Sequence, residues 1–468
     1  MSLIKSISGI RGTIGGRPNE GLTPLDIIKF SSAYVQMIAK DKGKNRPVVV
    51  VGRDARSSGS IINQIVCAAL QSMGADVIDL GLTTTPTTEI AVTALQADGG
   101  IIITASHNPS NWNALKLLNR QGEFISAHEG EEILRISEEE SFIYAELVNI
   151  GQYSQNDEML SFHIRRILGL PLVDVEAISR ANFKIVVDAV NSSGGIAIPS
   201  LLRALGVKEI ICLNCTPDGN FAHNPEPLPQ HLGEISEAVK KHSAHLGIVV
   251  DPDVDRLAFV CENGEMFGEE YTLVAVADYV LQHKGGNTVS NLSSTRALKV
   301  ITQKAGYEYF ASAVGEVNVV EMMKKTQAVI GGEGNGGVIY PELHYGRDAL
   351  VGVALFLSHL AHTVLTASNL RKTYPNFFMS KNKINLPPNT DIHSILEKIS
   401  EKYSSFPQNK EDGLKIEFPD EWVHLRRSNT EPIIRIYAES TLPTKADELV
   451  RRFISEIEQF IRNSTTNN

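Results

Sequence analysis

The sequence predicts three consecutive α/β domains with parallel-rich mixed sheets, followed by a smaller C-terminal α+β domain. Three observations support this fold class: a length of 468 residues, apolar strands that alternate with helices in three successive stretches, and a different pattern in the C-terminal part. A chain of this length exceeds one ordinary domain. Its hydrophobic content of 42% and charged content of 21% are typical of globular proteins.

The first stretch shows the alternation most clearly. Between residues 60 and 73, apolar residues recur at spacings of three and four, which is the helical period, and Gly74 then ends the helix. Strands separated by helices imply parallel pairing with right-handed crossovers. The elements predicted here are strands at 47–51, 77–80 and 100–103 and helices at 60–73 and 87–96.

The same alternation returns twice. The second stretch is predicted to contain strands at 183–187, 209–213 and 245–250 and helices at 194–205 and 235–242. The third is predicted to contain strands at 288–292, 307–311 and 327–330 and helices at 271–282, 296–305 and 318–325.

The C-terminal part has a different pattern. It is predicted to contain a Pro-containing loop at 386–389, helices at 392–403 and 445–461, and strands at 414–418, 422–425 and 433–439. The domains are therefore placed at 1–152, 153–257, 258–368 and 369–468.

Charge and composition exclude several classes of function. The net charge is -10, which disfavours non-specific binding to nucleic acid or to anionic membranes. No apolar run is long enough to span a bilayer, and no secretory leader is recognisable at the start. A cytoplasmic protein is expected. The CxxC formed by Cys212 and Cys215 lies next to an apolar stretch without further zinc ligands, so buried thiols are predicted.

A polar loop, Thr104–Pro109, follows the strand predicted at 100–103. In open α/β sheets, ligands bind beyond the carboxyl ends of the strands. Ser106 in this loop is a candidate nucleophile, and Lys116, a short distance along the chain, can neutralise a phosphoryl group. Taken alone, the loop favours a simple Ser/Asn/Pro turn over a nucleophile site.

An acidic loop, Asp251–Arg256, follows the strand predicted at 245–250. Alternate residues of an extended segment point to one side, so Asp251, Asp253 and Asp255 converge and call for a cation between them. An all-oxygen site suits Mg²⁺. An EF-hand is rejected because Arg256 stands where that loop needs glycine. Haloacid dehalogenase phosphatases also have an Asp-x-Asp after a strand, but usually near the start of the chain.

Two further loops could bind a ligand. Residues 331–337 satisfy GxGxxG, but no helix start follows, so a dinucleotide site is rejected. Glu333 and Asn335 there suit the hydroxyls of a sugar. The loop 426–432, with Arg435 beyond it, combines guanidinium, hydroxyl and amide groups that could hold phosphate. Surface turns remain alternatives for both loops when each is taken alone.

Together the four loops resemble the α-D-phosphohexomutase superfamily over the whole chain and in the same order. They resemble its phosphoserine, metal, sugar-binding and phosphate-binding loops, and further similar segments lie at 8–12, 52–54 and 222–227. The resemblance implies four domains around a central cleft and one Mg²⁺ per chain. It also implies an activator of the glucose-1,6-bisphosphate type, a sugar phosphate as substrate, and a monomer or homodimer.

The resemblance also implies residue roles. Ser106 carries the phosphate, donates it to a hexose phosphate, and receives the other phosphate of the resulting bisphosphate. The implied metal ligands are the phosphoserine oxygen of Ser106, Asp251, Asp253 and Asp255. The implied catalytic residues beside Ser106 are Arg11, His107, Lys116 and Arg256, with proton transfer given to Lys116 or Arg256. The implied substrate-binding residues are Glu333, Asn335, Arg426, Ser428, Asn429, Thr430 and Arg435.

The loops depart from the commoner family patterns in two places. The metal loop reads Asp-Pro-Asp-Val-Asp, and the sugar loop lacks a final histidine. The segment 314–316 resembles one in phosphoglucosamine mutases, which favours glucosamine phosphate as substrate. Phosphoglucomutase or phosphomannomutase activity is the close alternative. A metal-dependent sugar phosphatase and a catalytically silent sugar-phosphate binder are more distant ones. Arg347, after the sugar loop, is a charge without an assigned role, and a phosphate contact is its candidate role.

Overall fold

The structure is a computed structural model that describes residues 3–6, 9–42, 46–387, 390–427 and 433–465. The N-terminal region alternates strands and helices. Its elements are β1 (Leu3–Ser6), β2 (Gly9–Thr13), α1 (Pro24–Lys42), β3 (Val48–Arg53), α2 (Gly59–Ser72), β4 (Asp76–Leu82), α3 (Thr85–Ala94), β5 (Gly99–Ile103), β6 (Trp112–Leu118), α4 (Ala127–Glu139) and β7 (Tyr153–Gln155).

These seven strands form one mixed sheet in the order β1-β2-β6-β5-β3-β4-β7. Strands β5, β3, β4 and β7 are parallel, whereas β6 runs antiparallel to β5 and to β2. Apolar side chains of α1, α2 and α4 cover one face, and those of α3 cover the other. The sheet is therefore buried on both faces, as parallel-rich sheets are.

The second region contains α5 (Met159–Leu168), α6 (Val175–Ala181), β8 (Lys184–Asp188), α7 (Gly194–Ala204), β9 (Glu209–Leu213), α8 (Gly233–Lys241), β10 (Leu246–Val250) and β11 (Leu257–Cys261). The strand order is β11-β10-β8-β9. Strand β10 is parallel to β8 and antiparallel to β11. The acidic loop therefore joins two neighbouring antiparallel strands that are completely buried.

The third region contains α9 (Glu269–His283), β12 (Thr288–Asn291), α10 (Ala297–Lys304), β13 (Tyr309–Ser312), α11 (Glu316–Thr326), β14 (Ile330–Glu333), β15 (Gly337–Ile339), α12 (Ala349–Thr363) and α13 (Ala367–Lys372). Strands β12 and β13 are parallel, and β14 and β15 form a tight antiparallel pair. Helix α12 is buried without a break from Ala349 to Leu360 and contacts α5, α6 and α9.

The C-terminal region contains β16 (Phe378–Asn385), α14 (Ile392–Lys402), β17 (Gln408–Asn409), β18 (Leu414–Glu417), β19 (Glu421–Arg427), β20 (Ile433–Ser440) and α15 (Pro443–Thr465). Its strands form an antiparallel sheet in the order β16-β20-β19-β18-β17. Apolar side chains of α14 and α15 complete its core, which is the α+β arrangement that the sequence predicts.

The chain divides into two compact units. Unit 1 consists of Met1–Gly285 and Val329–Arg371, and unit 2 of Gly286–Ala328 and Lys372–Asn468. Unit 1 thus contains the two complete α/β sheets together with the β14–β15 pair. Unit 2 contains the β12–β13 pair and the antiparallel sheet.

Two predictions need correction. The strand expected at 327–330 is Ile330–Glu333, because Gln327 adopts a left-handed conformation (φ 51°) that ends α11 first. Cys212 is exposed and Cys215 is half-buried, so the prediction of buried thiols is wrong for Cys212. The reason is that β9 ends the strand order of its sheet and leaves much of its surface accessible. In the described part of the chain, no helix is long and apolar enough to cross a membrane.

Candidate active site

The serine loop begins where β5 ends, and Ser106 lies in a constrained conformation there. Its φ of 48° is in the left-handed region that residues other than glycine rarely occupy. The side chain is 7% exposed, and its Oγ donates a hydrogen bond to Oδ2 of Asp251 at 2.7 Å. The backbone N–H of Ser106 is held by Oγ1 of Thr104 at 2.9 Å. The loop thus presents one hydroxyl directly to the acidic loop of the neighbouring sheet.

Arg56 fixes the serine loop through hydrogen bonds to backbone carbonyls. Its guanidinium is buried and pairs with Asp54 at 3.1 Å. It also donates to the carbonyl oxygens of Pro109 at 2.6 Å, Trp112 at 3.0 Å and Asn108 at 2.7 Å. A further hydrogen bond goes to the carbonyl of Ser106. One planar cation therefore satisfies four backbone carbonyls in and just after the serine loop, which a lysine could not do.

The acidic loop brings three buried carboxylates together. Asp251, Asp253 and Asp255 have oxygens that all lie within 4.8 Å of one another, and all three residues are 0% exposed. Val254 between them adopts φ 65°, a costly conformation for a β-branched residue. The backbone N–H groups of Asp255 and Arg256 donate to Oδ1 of Asp251 at 3.2 and 3.1 Å. Backbone geometry therefore forces the convergence that the Asp-x-Asp-x-Asp pattern predicts.

Neighbouring elements clamp the acidic loop in place. Helix α3 contributes Thr85, whose hydroxyl donates to Oδ2 of Asp253 at 2.6 Å and whose backbone N–H donates to the carbonyl of Asp253 at 2.9 Å. Ser192 and Ser193, just before α7, donate to the carbonyl of Pro252 at 2.7 and 2.8 Å. These contacts fix the loop between the first two α/β regions within unit 1.

Two buried cations balance the carboxylates. The Nζ of Lys116, on β6, lies 2.7 Å from Oδ2 of Asp253 and 3.2 Å from Oδ2 of Asp255. Arg347 reaches the same Oδ2 of Asp255 at 2.7 Å. Burial alone would lower the pKa of Lys116, but the carboxylates of Asp253 and Asp255 raise it above its ordinary value. Lys116 is therefore held as an ammonium.

The donor set fits a small divalent cation. In the described part of the chain, Oδ1 of Asp253 and Oδ1 of Asp255 are buried without a hydrogen-bond partner. Burial and the other two carboxylates raise the pKa of Asp251 well above its ordinary value. Burial would also raise the pKa of Asp255, but Arg347 and Lys116 lower it below its ordinary value. Orphaned carboxylate oxygens next to a hydroxyl are the ligands that Mg²⁺ takes, so the residues fit this ion.

Positive charge lies next to Ser106 as well. Burial and the nearby guanidinium of Arg256 lower the pKa of Arg11, which lies on β2. Burial, followed by Arg256 and then Arg11, lowers the pKa of His107 well below its ordinary value, and its Nδ1 is 3.5 Å from Oγ of Ser106. Arg256 pairs with Glu226 at 3.2 Å. Mutual repulsion between guanidinium groups would be relieved by an anion such as phosphate.

The glycine-rich loop is the turn between β14 and β15. A strand follows it instead of the helix that a dinucleotide-binding loop needs. Glu333 is 5% exposed and accepts a hydrogen bond from Arg347 at 2.8 Å. Asn335 accepts one from the N–H of Gly337 at 3.2 Å. Gly336 has φ 88°, and a Cβ there would lie 2.2 Å from the carbonyl oxygen of Leu257. The glycines thus let Glu333 approach the acidic loop within unit 1.

Unit 2 contributes a separate basic site. Arg426 on β19 and Arg435 on β20 are directly opposite each other in the antiparallel ladder, where like charges are unfavourable. Arg426 is paired with Asp412 at 2.6 Å. The three other residues expected in this loop lie outside the described residues: Ser428, Asn429 and Thr430. Two guanidinium groups against one carboxylate leave positive charge available to an anion.

Sequence reasoning missed several supporting residues. Arg56 follows the segment 52–54 by only two positions, but nothing in the sequence shows that it reaches the serine loop. Thr85 and Ser192 are ordinary helix-start residues by pattern. In the sequence, the only signal for such residues is a hydroxyl side chain near a predicted helix start. This signal does not identify the loop that the hydroxyl contacts.

Comparison with protein families decides the classification. Four models of the phosphoglucomutase/phosphomannomutase family match in order: α/β/α domain I at residues 3–144, domain II at 162–264, domain III at 268–377 and the C-terminal domain at 385–457. The chain belongs to this family. The family resemblance and the four-domain α/β architecture expected from the sequence are therefore confirmed: the chain is a phosphohexomutase, which is an isomerase.

Curated relatives match nearly the whole phosphohexomutase chain. A phosphoglucomutase/phosphomannomutase of Thermococcus kodakarensis is 35% identical over 457 residues, covering 96% of this chain and 99% of the relative. A phosphoglucosamine/phosphogalactosamine mutase of Sulfurisphaera tokodaii is 33% identical, with 98% and 99% covered. A probable phosphoglucosamine mutase of Methanopyrus kandleri is 31% identical, with 97% and 98% covered. The relatives thus agree on the family and differ in the sugar that their names specify.

Solved structures share the fold. A phosphoglucomutase/phosphomannomutase family protein from Burkholderia thailandensis superposes with a TM-score of 0.83 at 26% identity and covers 97% of each chain. The N-acetylphosphoglucosamine mutase of Aspergillus fumigatus in complex with GlcNAc-6P and magnesium has a TM-score of 0.56 at 14% identity, with 92% of this phosphohexomutase and 97% of that chain covered. The second likeness concerns the fold alone.

Proposed function

We propose that the protein interconverts the 6-phosphate and 1-phosphate of a hexose through a phosphoserine at Ser106, with glucosamine phosphate as its preferred substrate. The observation that carries this proposal is the 2.7 Å hydrogen bond from Oγ of Ser106 to Asp251 within the buried acidic triad. A hydroxyl placed between a metal-binding set and several cations is suited to carry a phosphoryl group.

The transfer is balanced by one bond broken and one formed. The bond between phosphorus and Oγ of Ser106 breaks while a bond forms between phosphorus and a hydroxyl oxygen of the sugar phosphate. The product of this half-reaction is a hexose bisphosphate and a free Ser106 hydroxyl. The second half-reaction returns the other phosphate to Ser106. Because each cycle ends with Ser106 phosphorylated, a bisphosphate activator of the glucose-1,6-bisphosphate type would restore the phosphoserine if it were lost.

The triad would hold the metal ion. Asp251, Asp253 and Asp255, with an oxygen of the phosphorylated Ser106, are the proposed ligands. When bound, Mg²⁺ would neutralise charge on the transferring phosphoryl group. Lys116 contacts Asp253 and Asp255 directly, so it keeps these carboxylates in position beside the reacting group.

In the first half-reaction the sugar hydroxyl loses a proton and the leaving Oγ of Ser106 gains one; in the second half-reaction Oγ of Ser106 attacks and loses its proton. Lys116 or Arg256 is the acceptor expected from the sequence. The geometry favours His107 instead, because its Nδ1 is 3.5 Å from Oγ of Ser106, whereas the Nζ of Lys116 donates to two carboxylates. A side chain within reach of the reacting oxygen is the better candidate for proton transfer.

Other residues would bind the parts of the substrate that do not react. Glu333 and Asn335 are proposed to hold sugar hydroxyls or an amino group, as acceptor and donor. The cross-strand pair of Arg426 and Arg435 in unit 2 is proposed to bind a phosphate, since bidentate guanidinium contacts suit this group. Arg11 and Arg256 would lie along the phosphate on Ser106.

The sugar preference rests on two observations. The segment 314–316 resembles one in phosphoglucosamine mutases, and the relatives from Sulfurisphaera tokodaii and Methanopyrus kandleri carry that name. The relative from Thermococcus kodakarensis, at 35% identity, supports glucose or mannose phosphate as the second candidate.

A parallel assay tests the proposal. The protein, with Mg²⁺ and a trace of glucose-1,6-bisphosphate, would be incubated with glucosamine-6-phosphate, glucose-1-phosphate or mannose-1-phosphate and followed by ³¹P NMR. Interconversion without inorganic phosphate supports a mutase, with glucosamine phosphate turned over fastest. Faster turnover of glucose or mannose phosphate would overturn the sugar preference. Release of inorganic phosphate from all three sugar phosphates would overturn the mutase hypothesis and favour a phosphatase.

A further inference from the structure

Arg347 joins two loops that the reaction is proposed to use. One of its terminal nitrogens, Nη1, donates to Oε2 of Glu333 at 2.8 Å, and the other, Nη2, donates to Oδ2 of Asp255 at 2.7 Å. The residue is 8% exposed. A planar guanidinium with two parallel donors is the side chain that can span two carboxylates in fixed geometry. Arg347 therefore sets the position of the sugar-loop carboxylate relative to the acidic loop.

The backbone around Arg347 is itself anchored. Arg347 forms an isolated antiparallel bridge with Ile339, the last residue of β15. The next residue, Asp348, donates its N–H to the carbonyl of Val338 at 2.8 Å and caps α12 through its carboxylate. The guanidinium is thus carried by a strand edge and a buried helix start, so it is positioned by rigid elements.

Space for this side chain exists because residue 337 has none. A Cβ at Gly337 would lie 2.3 Å from Cδ and 3.0 Å from Cγ of Arg347. The φ of Gly337 is outside the left-handed region, so an alanine there is not strained by its backbone. The aliphatic stem of Arg347 thus fills the volume that a side chain at position 337 would take.

We infer that Arg347 is the positioning residue for sugar recognition: it fixes Glu333 against Asp255 in a space that Gly337 leaves open. This inference rests on the proposed function. It assigns the positioning of Glu333 to Arg347, for whose side chain Gly337 leaves room on the sugar loop. Because one guanidinium touches both loops, it links occupancy of the acidic triad to the orientation of Glu333.

The structure offers two independent ways to disturb Arg347. Arg347→Ala removes the guanidinium, whereas Gly337→Ala leaves it present and displaces its stem. If both act through the same contact, the double variant is no worse than Arg347→Ala alone, because interacting sites are non-additive. Gly233→Ala is a matched control, since a Cβ at that position meets nothing within 4 Å.

The kinetic result expected is a rise in KM for the hexose phosphate of about tenfold in each single variant, with a much smaller change in kcat. Mg²⁺ binding, measured by calorimetry on the protein without substrate, is expected to become several-fold tighter in Arg347→Ala, because a cation next to Asp255 is removed. Arg347→Lys keeps the charge but spans only one carboxylate, so it should restore the Mg²⁺ affinity and leave KM raised.

The opposite directions of the two readouts separate positioning from a merely structural role, which would weaken both together. Additive effects in the double variant, or a loss of Mg²⁺ affinity alongside a raised KM, would overturn the inference. If the wild-type protein turned over no hexose phosphate, the proposed function would fail. The Mg²⁺ affinities of the wild type, Arg347→Ala, Gly337→Ala and the double variant, measured by calorimetry, would still decide whether Gly337 and Arg347 act as a pair.

Discussion

The acidic triad in unit 1 and the arginine pair in unit 2 differ in how far their charges are buried and balanced. Asp251, Asp253 and Asp255 are 0% exposed and are balanced by the buried cations of Lys116 and Arg347. These contacts still leave two carboxylate oxygens without partners among the described residues. The triad is therefore a rigid set that is complete once a cation is supplied.

The arginine pair is more accessible and has an excess of positive charge. The side chain of Arg426 is 18% exposed and is paired with one carboxylate, that of Asp412, while Arg435 is half-buried on the adjacent strand. A partly accessible ion pair is screened by solvent more than the buried pairs of the triad are, so this site can exchange partners. Unit 1 therefore has the fixed geometry that bond-making requires, whereas the arginine pair of unit 2 has the accessible positive charge that reversible anion binding requires.

Removing the nucleophile gives the largest expected effect. Ser106→Ala should lower kcat by roughly 10⁴-fold or more, because the phosphoryl group has no other acceptor oxygen at this position. The melting temperature should change little. Ser110→Ala, an exposed serine of the same segment, is the control and should keep full activity. Substantial turnover by Ser106→Ala would remove Ser106 from its proposed role.

Disturbing the triad should affect metal binding and activity together. Asp253→Asn should weaken Mg²⁺ binding by roughly tenfold or more and lower kcat accordingly, since an amide is a poorer ligand and a poorer partner for Lys116. Calorimetric titration with Mg²⁺ measures the first effect. The exposed Asp157→Asn serves as control. An unchanged metal titration would place Asp253 outside the metal site.

Loosening the support of the serine loop should cost both stability and rate. Arg56→Lys replaces a fork that satisfies four carbonyls by a single ammonium, so we expect a loss of about 3 kcal/mol in the free energy of unfolding. A fall in kcat should accompany it because Ser106 loses its constrained position. Urea unfolding measures the stability, with the exposed Arg46→Lys for comparison. Wild-type stability in Arg56→Lys would show that the loop is held by other contacts.

Changes in the arginine pair should affect binding rather than chemistry. Arg426→Gln and Arg435→Gln are each expected to raise KM by about tenfold, with kcat nearly unchanged and Mg²⁺ affinity unaltered. Steady-state kinetics and metal titration of the same preparations test this. A large drop in kcat at saturating substrate would contradict the division of labour between the two regions.

A further effect concerns the dependence of stability on pH. Burial, reinforced by the charge of Lys415, lowers the pKa of His424 in unit 2 to about 4. The unfolded chain therefore binds a proton below pH 6.5 that the folded protein does not, so stability falls as the pH drops from 6.5 towards 4. The expected loss between pH 7 and pH 5 is roughly 2 kcal/mol. In His424→Asn this loss should shrink; an identical pH slope in that variant would assign it to other groups.

The sequence was sufficient where local chemistry determines structure. The strands before Ser106 and Asp251, and the exposure of polar loops at their ends, follow from apolar runs and from the position of ligand sites in α/β sheets. Most predicted strands and helices agree with the observed elements to within a few residues. The domain boundaries at 152, 257 and 368 and the cytoplasmic location stay predictions.

The rest depends on long-range packing that periodicity cannot show. Strands β2 and β6, which carry Arg11 and Lys116, were not predicted because they pair antiparallel at one side of a sheet that was expected to be parallel-rich. Arg56 and Arg347 act through contacts with residues far away in sequence, so their roles became visible only when the loops were brought together. The likeness of the four loops to one superfamily predicted the set of site residues, but not the contacts among them.

Transfer through a phosphoserine is tested most directly by following the phosphoryl group itself. The protein would be labelled with a hexose bisphosphate carrying ³²P and separated from free ligand. It would then be digested to locate the label, or chased with unlabelled glucosamine-6-phosphate. The label is expected on the peptide containing Ser106 and should move into hexose phosphate during the chase. Label on another residue, or its release as inorganic phosphate, would contradict the phosphoserine mechanism.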